Sequence, residues 1–199
     1  MKNWKRDKED MKLWKYKDYE EYKKLQIDAN IKKLHAVWCS ESTVKKIRTM
    51  YPDVDSVLCH GARNGRELEF FLDQYPDSRV NGTDISPTAN EIANMFEWDF
   101  HEVKEEWVGK WNMIYSNSFD HSYDPEKCLR TWTDQLTEDG ILCVELMVGS
   151  DNTSSGMDPL QISKGEFLNI VEGLGFEEVI TFNVKANHGN SRVVVSTRK

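Results

Sequence analysis

Strand-like and helix-like patterns alternate along most of this 199-residue chain, with short loops between them. Runs at 56–60, 79–84, 112–117, 140–147, 177–184 and 192–197 read as strands, and helical patterns fall at 42–50, 65–75, 87–96, 125–136 and 164–174. The punctuation agrees. Ser86 followed by Pro87 offers an N-cap and a proline at the first helical position, Ser163 and Glu166 have capping-box spacing, and Gly175 stands just past a helix end. Such alternation requires right-handed crossovers, hence an α/β fold with a mostly parallel sheet covered on both faces. The end of the chain departs from this. "KANHGNS" is too short for a crossover helix, so the last two strands form a hairpin and one of them runs antiparallel.

The first fifty residues read differently, and we expect a helical extension over 1–50 ahead of an α/β domain over 51–199. Residues 1–24 hold nine Lys/Arg against six Asp/Glu and are studded with Trp4, Trp14, Tyr16, Tyr19 and Tyr22. From 18 to 38 a helical period places Ile27, Ile31, Leu34 and Trp38 on one apolar stripe, flanked by Gln26, Asn30 and Lys33. That polar row is either a solvated flank or the face a helix shows to a cleft it caps. The basic, aromatic start allows a nucleic-acid arm, a membrane-surface segment or a cover over a site. Acidic residues interrupt the basic ones throughout, which favours the cover.

Net charge is −8 overall, so the remainder of the chain carries −11 and disfavours a polyanionic partner such as nucleic acid. The sequence shows no membrane-length apolar run and no signal-peptide pattern. Its four cysteines (Cys39, Cys59, Cys128, Cys143) have no metal-binding spacing. A reduced, cytoplasmic protein is the expectation, with Cys59 and Cys143 as buried thiols.

The loop after the first α/β strand, Gly61-Ala62-Arg63-Asn64-Gly65-Arg66-Glu67, decides the ligand class. In open α/β sheets ligands lie beyond the carboxyl ends of the strands. A dinucleotide loop needs G-x-G-x-x-G, and only the first glycine fits. No Gly-Lys-Ser/Thr follows for a P-loop. A phosphate-free, adenosine-type ligand suits the loop better, because Asp84 ends the second strand where a carboxylate can accept from both ribose hydroxyls. The alternatives are a plain tight turn at 61–65 and a helix-start charge at Asp84. Asp99, in "FEWDFHE", is placed to accept from an adenine amino group, with Ile85 and Phe100 on either side of the base.

The segments "VLCHGARNG", "GTDIS", "EWDF", "WNMIYSNSFDHSYDP" and "LTEDGILCVELMVG" follow in the order and spacing of class I S-adenosylmethionine-dependent methyltransferases. The chain resembles that Rossmann-like family, in its type 11-like form, over residues 54–199. The resemblance implies a three-layer sandwich around a seven-stranded sheet with an antiparallel last strand. It also implies S-adenosylmethionine as cofactor, with S-adenosylhomocysteine as product. By the same resemblance Gly61, Arg63 and Gly65, with Ala62 between them, border the methionine end, Asp84 holds the ribose and Asp99 the adenine. Ser116 and Asn117 meet the cofactor from the fourth strand's end; independently of the resemblance, the polar row on the first helix lets Gln26 or Lys33 reach the cofactor carboxylate. Two departures stand out: Cys59 replaces the family's acidic residue, and Arg63 its middle glycine.

His121 follows the fourth strand, where the family often places a residue facing the transferred methyl. It is a candidate base, or else a loop histidine bonded to backbone. Glu145, a carboxylate inside an apolar run, needs a partner or a ligand, and is the second catalytic candidate. His188 reads as a solvent-exposed hairpin residue, and Asp151-Asn152 offer no evident metal ligand set, so no metal is expected. The loop 149–160 is long for this fold and suits the lining of an acceptor pocket. The Asn/Asp-Pro-Pro-Tyr/Phe of base-amine methylation is absent and no cysteine follows a proline, leaving a small-molecule oxygen or nitrogen acceptor by elimination. The alternatives are an RNA methyltransferase docking through the basic N-terminus and a silent protein that binds the cofactor without turnover.

Overall fold

The computed structural model describes residues 11–149, 154–186 and 189–199. Asp151, Asn152 and His188 lie outside the described residues. The main sheet comprises β2 (Ser56–His60), β3 (Arg79–Asp84), β4 (Met95–Glu97), β5 (Trp111–Ser116), β6 (Leu136–Met147), β8 (Phe176–Ala186) and β9 (Gly189–Arg198). Its order is β4-β3-β2-β5-β6-β9-β8, and β9 alone runs against its neighbours, as the short final connection requires. The order reverses between β2 and β5, which sets the binding crevice at the carboxyl ends of those two strands.

Period-two alternation divides the core into two layers. Val57, Cys59, Met113, Tyr115, Val193 and Val195 point to one face, under α2 (Glu41–Met50) and α3 (Arg66–Gln74). Leu58, Ile114, Leu142, Val144 and Val194 point to the other, under α4 (Pro125–Gln135) and α5 (Lys164–Gly173). The result is the three-layer sandwich. All four cysteines are buried, and none forms a disulfide among the described residues. Among the described residues, no helix is long and apolar enough to cross a membrane.

Three expectations need correction. A helix over 87–96 does not form: a short 3-10 turn covers Pro87–Glu91, and the chain then becomes edge strand β4. Ser86 caps the turn as expected, but Asn94 adopts φ 62° and ends any helical run there. The first helix, α1 (Tyr19–Lys32), stops well short of 38, and its buried face is Tyr22, Gln26, Ala29 and Asn30. Ile31, on the stripe expected to face the core, is 55% exposed. The helix rests on a cavity whose floor includes Arg63, Asp84 and Asp99, so its polar row is the inward one.

The third concerns the segment before α1. Strand β1 (Met11–Leu13) pairs antiparallel with β7 (Leu160–Ile162), and Trp14 N–H donates to Pro159 O at 2.8 Å. Residues 11–32 thus form a strap and helix laid across the carboxyl edge of the sheet.

Candidate functional site

The loop after β2 is built for close approach. Gly61 has φ 72°, and a Cβ there would lie 2.5 Å from Ser118 Cβ. Ala62 N–H donates to Thr83 O at 2.8 Å, and Gly65, at φ 73°, caps α3 with its N–H on Ala62 O. Ala62 and Gly65 therefore shape the loop from behind and do not line the cavity in front of it. Arg63 adopts φ 39°, and its guanidinium stacks 4.4 Å from the centre of the Trp38 ring.

The loop is tied to Asp84, at the end of β3. Asp84 is 8% exposed and accepts Arg63 N–H at 3.1 Å and Ser86 N–H at 2.9 Å. Burial pushes its carboxyl above the usual range, against the pull of those donors and of the Arg63 charge. Beyond β4, burial acts on Asp99 in the same upward direction. There it is overcome by His101, which donates from Nδ1 at 2.7 Å and from its backbone at 3.0 Å, and by the Tyr19 hydroxyl, so the carboxyl sits below its ordinary value.

Gly61, Arg63, Asp84, Ile85, Asp99 and Phe100 all line one cavity. Helix α1 roofs it with Tyr22, Gln26, Ala29 and Asn30, and Ser118 and His121 close the far end. Asn30 Nδ2 is buried there with no hydrogen-bond partner. A donor held so, at the edge of a cavity, is satisfied only by what enters it. Eight of the sequence candidates, counting Gln26 and His121, come together here.

The strand-end serine that lines this cavity is Ser118. Ser116 is wholly buried and donates to His60 O at 2.9 Å. Asn117 donates to Glu67 Oε1 at 3.3 Å and lines an adjoining cavity. That second cavity shares Gly61, Arg63, Ser118 and His121 with the first, and adds Lys33, Trp38, Asp120, Met147 and Asp158. Loop 149–160 contributes to it through Asp158. Glu145 lines neither cavity. Its carboxylate is 4% exposed and accepts from Tyr115 at 2.8 Å and from Ser191, so the partner that a buried carboxylate needs is internal.

Residues that the sequence did not single out complete the site. Asp120 carries no signal apart from its place beside His121. Tyr22 becomes visible once the Gln26 and Asn30 row is read as facing inward, since it stands at i−4 from Gln26.

The sequence matches no family model and no curated protein. Solved structures do resemble it. The 1,6-didemethyltoxoflavin-N1-methyltransferase of Burkholderia thailandensis, crystallised with 1,6-didemethyltoxoflavin and S-adenosylhomocysteine, gives a TM-score of 0.74 at 14% identity, over 94% of this chain and 92% of that one. A TehB-like S-adenosylmethionine-dependent methyltransferase from Corynebacterium glutamicum gives 0.59 at 20% identity, over 91% and 99%. A sugar N-methyltransferase from a Streptoalloteichus species gives 0.61 at 12% identity, over 86% and 92%. At such identities the likeness establishes the fold: this chain has the fold of class I S-adenosylmethionine-dependent methyltransferases.

Proposed function

We propose that this protein transfers a methyl group from S-adenosylmethionine to an oxygen or nitrogen of a small molecule and releases S-adenosylhomocysteine. The observation that carries the reading is the first cavity, in which Asp84, Asp99 with Phe100, and the Gly61 loop meet at the point where strand order reverses. The residues fit an adenosine-type cofactor. Asp84 has lone pairs left for two ribose hydroxyls beside its two backbone donors. Asp99 retains acceptor capacity for an adenine amino group on the oxygen that Tyr19 holds. Asn30 Nδ2 supplies a free donor, Ile85 and Phe100 supply the apolar walls, and Gly61 lets backbone approach. Arg63 and Lys33 face the end where a methionine carboxylate would lie.

The bound cofactor supplies a methyl on a positively charged sulfur that is its own leaving group. The remaining task is alignment at near-attack distance in dry surroundings, and helix α1 provides the roof. His121 lines both cavities, which supports its reading as the base that takes the acceptor's proton, a contribution worth about 10²–10⁴-fold where that proton must leave. The three similar enzymes reported above include two that act on nitrogen, in a toxoflavin precursor and in a sugar.

Turnover tests the reading. Incubation with S-adenosylmethionine and a panel of small hydroxyl and amino compounds should release S-adenosylhomocysteine with at least one of them, and His121→Ala should slow that release. Tight cofactor binding with no release across the panel would favour a silent binding protein.

A further inference from the structure

The second cavity has walls of opposite charge. On one, the Arg63 guanidinium and the Lys33 ammonium lie 4.4 Å and 5.7 Å from the Trp38 ring centre. On the other, Asp120, His121 and Asp158 each bring one oxygen or nitrogen to within 4.8 Å of the others.

The proton on His121 is placed by its neighbours. Gln26 Nε2 donates to Met157 O at 3.0 Å, which orients the amide so that Oε1 accepts from His121 Nδ1 at 2.8 Å. With Nδ1 donating to Gln26, Nε2 is the ring nitrogen left facing Asp158 Oδ1, 3.6 Å away. Asp120 accepts from its own backbone N–H and, among the described residues, from no side chain. Among the described residues, two carboxylates and the Nε2 edge of His121 therefore converge on the cavity, an arrangement that suits an incoming molecule carrying donors.

The basic wall complements the carboxylate end of the cofactor and leaves the acidic wall to the acceptor. We infer that the acceptor is a small amine, held as its ammonium between Asp120 and Asp158 with one N–H directed at His121 Nε2. The inference rests on the methyltransferase reading above. The ammonium gives one proton to His121 Nε2. The freed nitrogen lone pair forms the N–C bond to the methyl carbon while the C–S bond breaks, and its electron pair stays on sulfur. The product leaves as the methylated ammonium. A divalent cation is the competing occupant of the trio, and Mn²⁺ serves as its probe.

Calorimetry on the full chain saturated with S-adenosylhomocysteine tests this. The probes are 2-phenylethylamine and 1,4-diaminobutane, their isosteres 2-phenylethanol and 1,4-butanediol, phenylacetate, and Mn²⁺. An amine should bind about tenfold or more tightly than its alcohol isostere, and that preference should disappear in the Asp120→Asn/Asp158→Asn variant. The variant should keep its affinity for S-adenosylhomocysteine, which also shows that it folds. Equal or tighter binding of the alcohols or phenylacetate, preferential binding of Mn²⁺, or no amine binding at millimolar concentration would each overturn the inference. So would loss of S-adenosylhomocysteine affinity in the variant, since the two acids would then serve the cofactor. Wild-type protein that fails to bind S-adenosylhomocysteine at all would instead remove the methyltransferase reading, and this inference with it.

Discussion

The Tyr19 hydroxyl donates to Asp99 Oδ2 across 2.9 Å, joining the first turn of α1 to the loop after β4. Its ring also packs against Tyr22 and Tyr123, at centroid distances of 6.0 and 6.1 Å. The same helix bonds Gln26 to His121 and Asn30 to Thr88 Oγ1. The roof is thus held at both ends of the cavity it covers, and the residues proposed to hold adenine and to take the acceptor's proton each hydrogen-bond to it.

Gln26 sets the tautomer of His121. In Gln26→Ala the Nδ1–H loses its acceptor, and the proton is no longer confined to that nitrogen. Nitrogen-15 NMR of the histidine side chains should show His121 protonated at Nδ1 in the parent protein and a mixture of tautomers in the variant. An unchanged Nδ1–H signal would show that Gln26 does not control it.

Gly61→Ala should damage both the loop and the cavity. The new Cβ would meet Ser118 Cβ at 2.5 Å, at a backbone φ of 72° that itself costs a residue with a side chain about 1–2 kcal/mol. We expect urea unfolding to report a loss of about 2 kcal/mol or more, together with at least a tenfold loss of S-adenosylhomocysteine affinity. Wild-type stability in this variant would mean that the loop relaxes without cost.

Glu67 gives a pH-dependent prediction. Burial pushes its carboxyl from 4.5 up to about 7, against its own backbone N–H, Arg63 and Asn117, and its Oε2 has no partner. A carboxyl whose folded pKa is raised favours the fold while protonated, and that advantage is lost as pH rises from the unfolded value through the folded one. A shift of this size corresponds to roughly 3 kcal/mol. Glu67→Gln should therefore raise the melting temperature at pH 8.5 and leave it nearly unchanged at pH 5. A variant destabilised at pH 8.5 would show that the ionised carboxylate is a favourable partner of Arg63.

Much of this arrangement can be read from local pattern. Val57, Cys59 and the β6 run alternate as buried strands must, and Ser163 accepts Glu166 N–H at 3.2 Å as capping-box spacing requires. Asp84 and Gly61 are legible because each ends a strand of evident type. What escaped depends on contacts distant in sequence. Three-residue strand β1 has meaning only against β7, some 150 residues later. Ser118 rather than Ser116 reaches the cavity because the chain leaves the strand after Ser116, and a strand pattern would have put both on the same face. Glu145 looked like site chemistry because a carboxylate in an apolar run is costly, and only the fold shows Tyr115 and Ser191 meeting that cost.

The most direct test is calorimetric titration of S-adenosylhomocysteine into the parent protein and into Asp84→Ala, with NAD as the control ligand. The account predicts micromolar binding to the parent, at least a tenfold loss in the variant, and no NAD binding, since the Gly61–Gly65 loop lacks the middle glycine that a pyrophosphate needs. Binding of NAD, or S-adenosylhomocysteine affinity unaffected by removal of the Asp84 carboxylate, would contradict it.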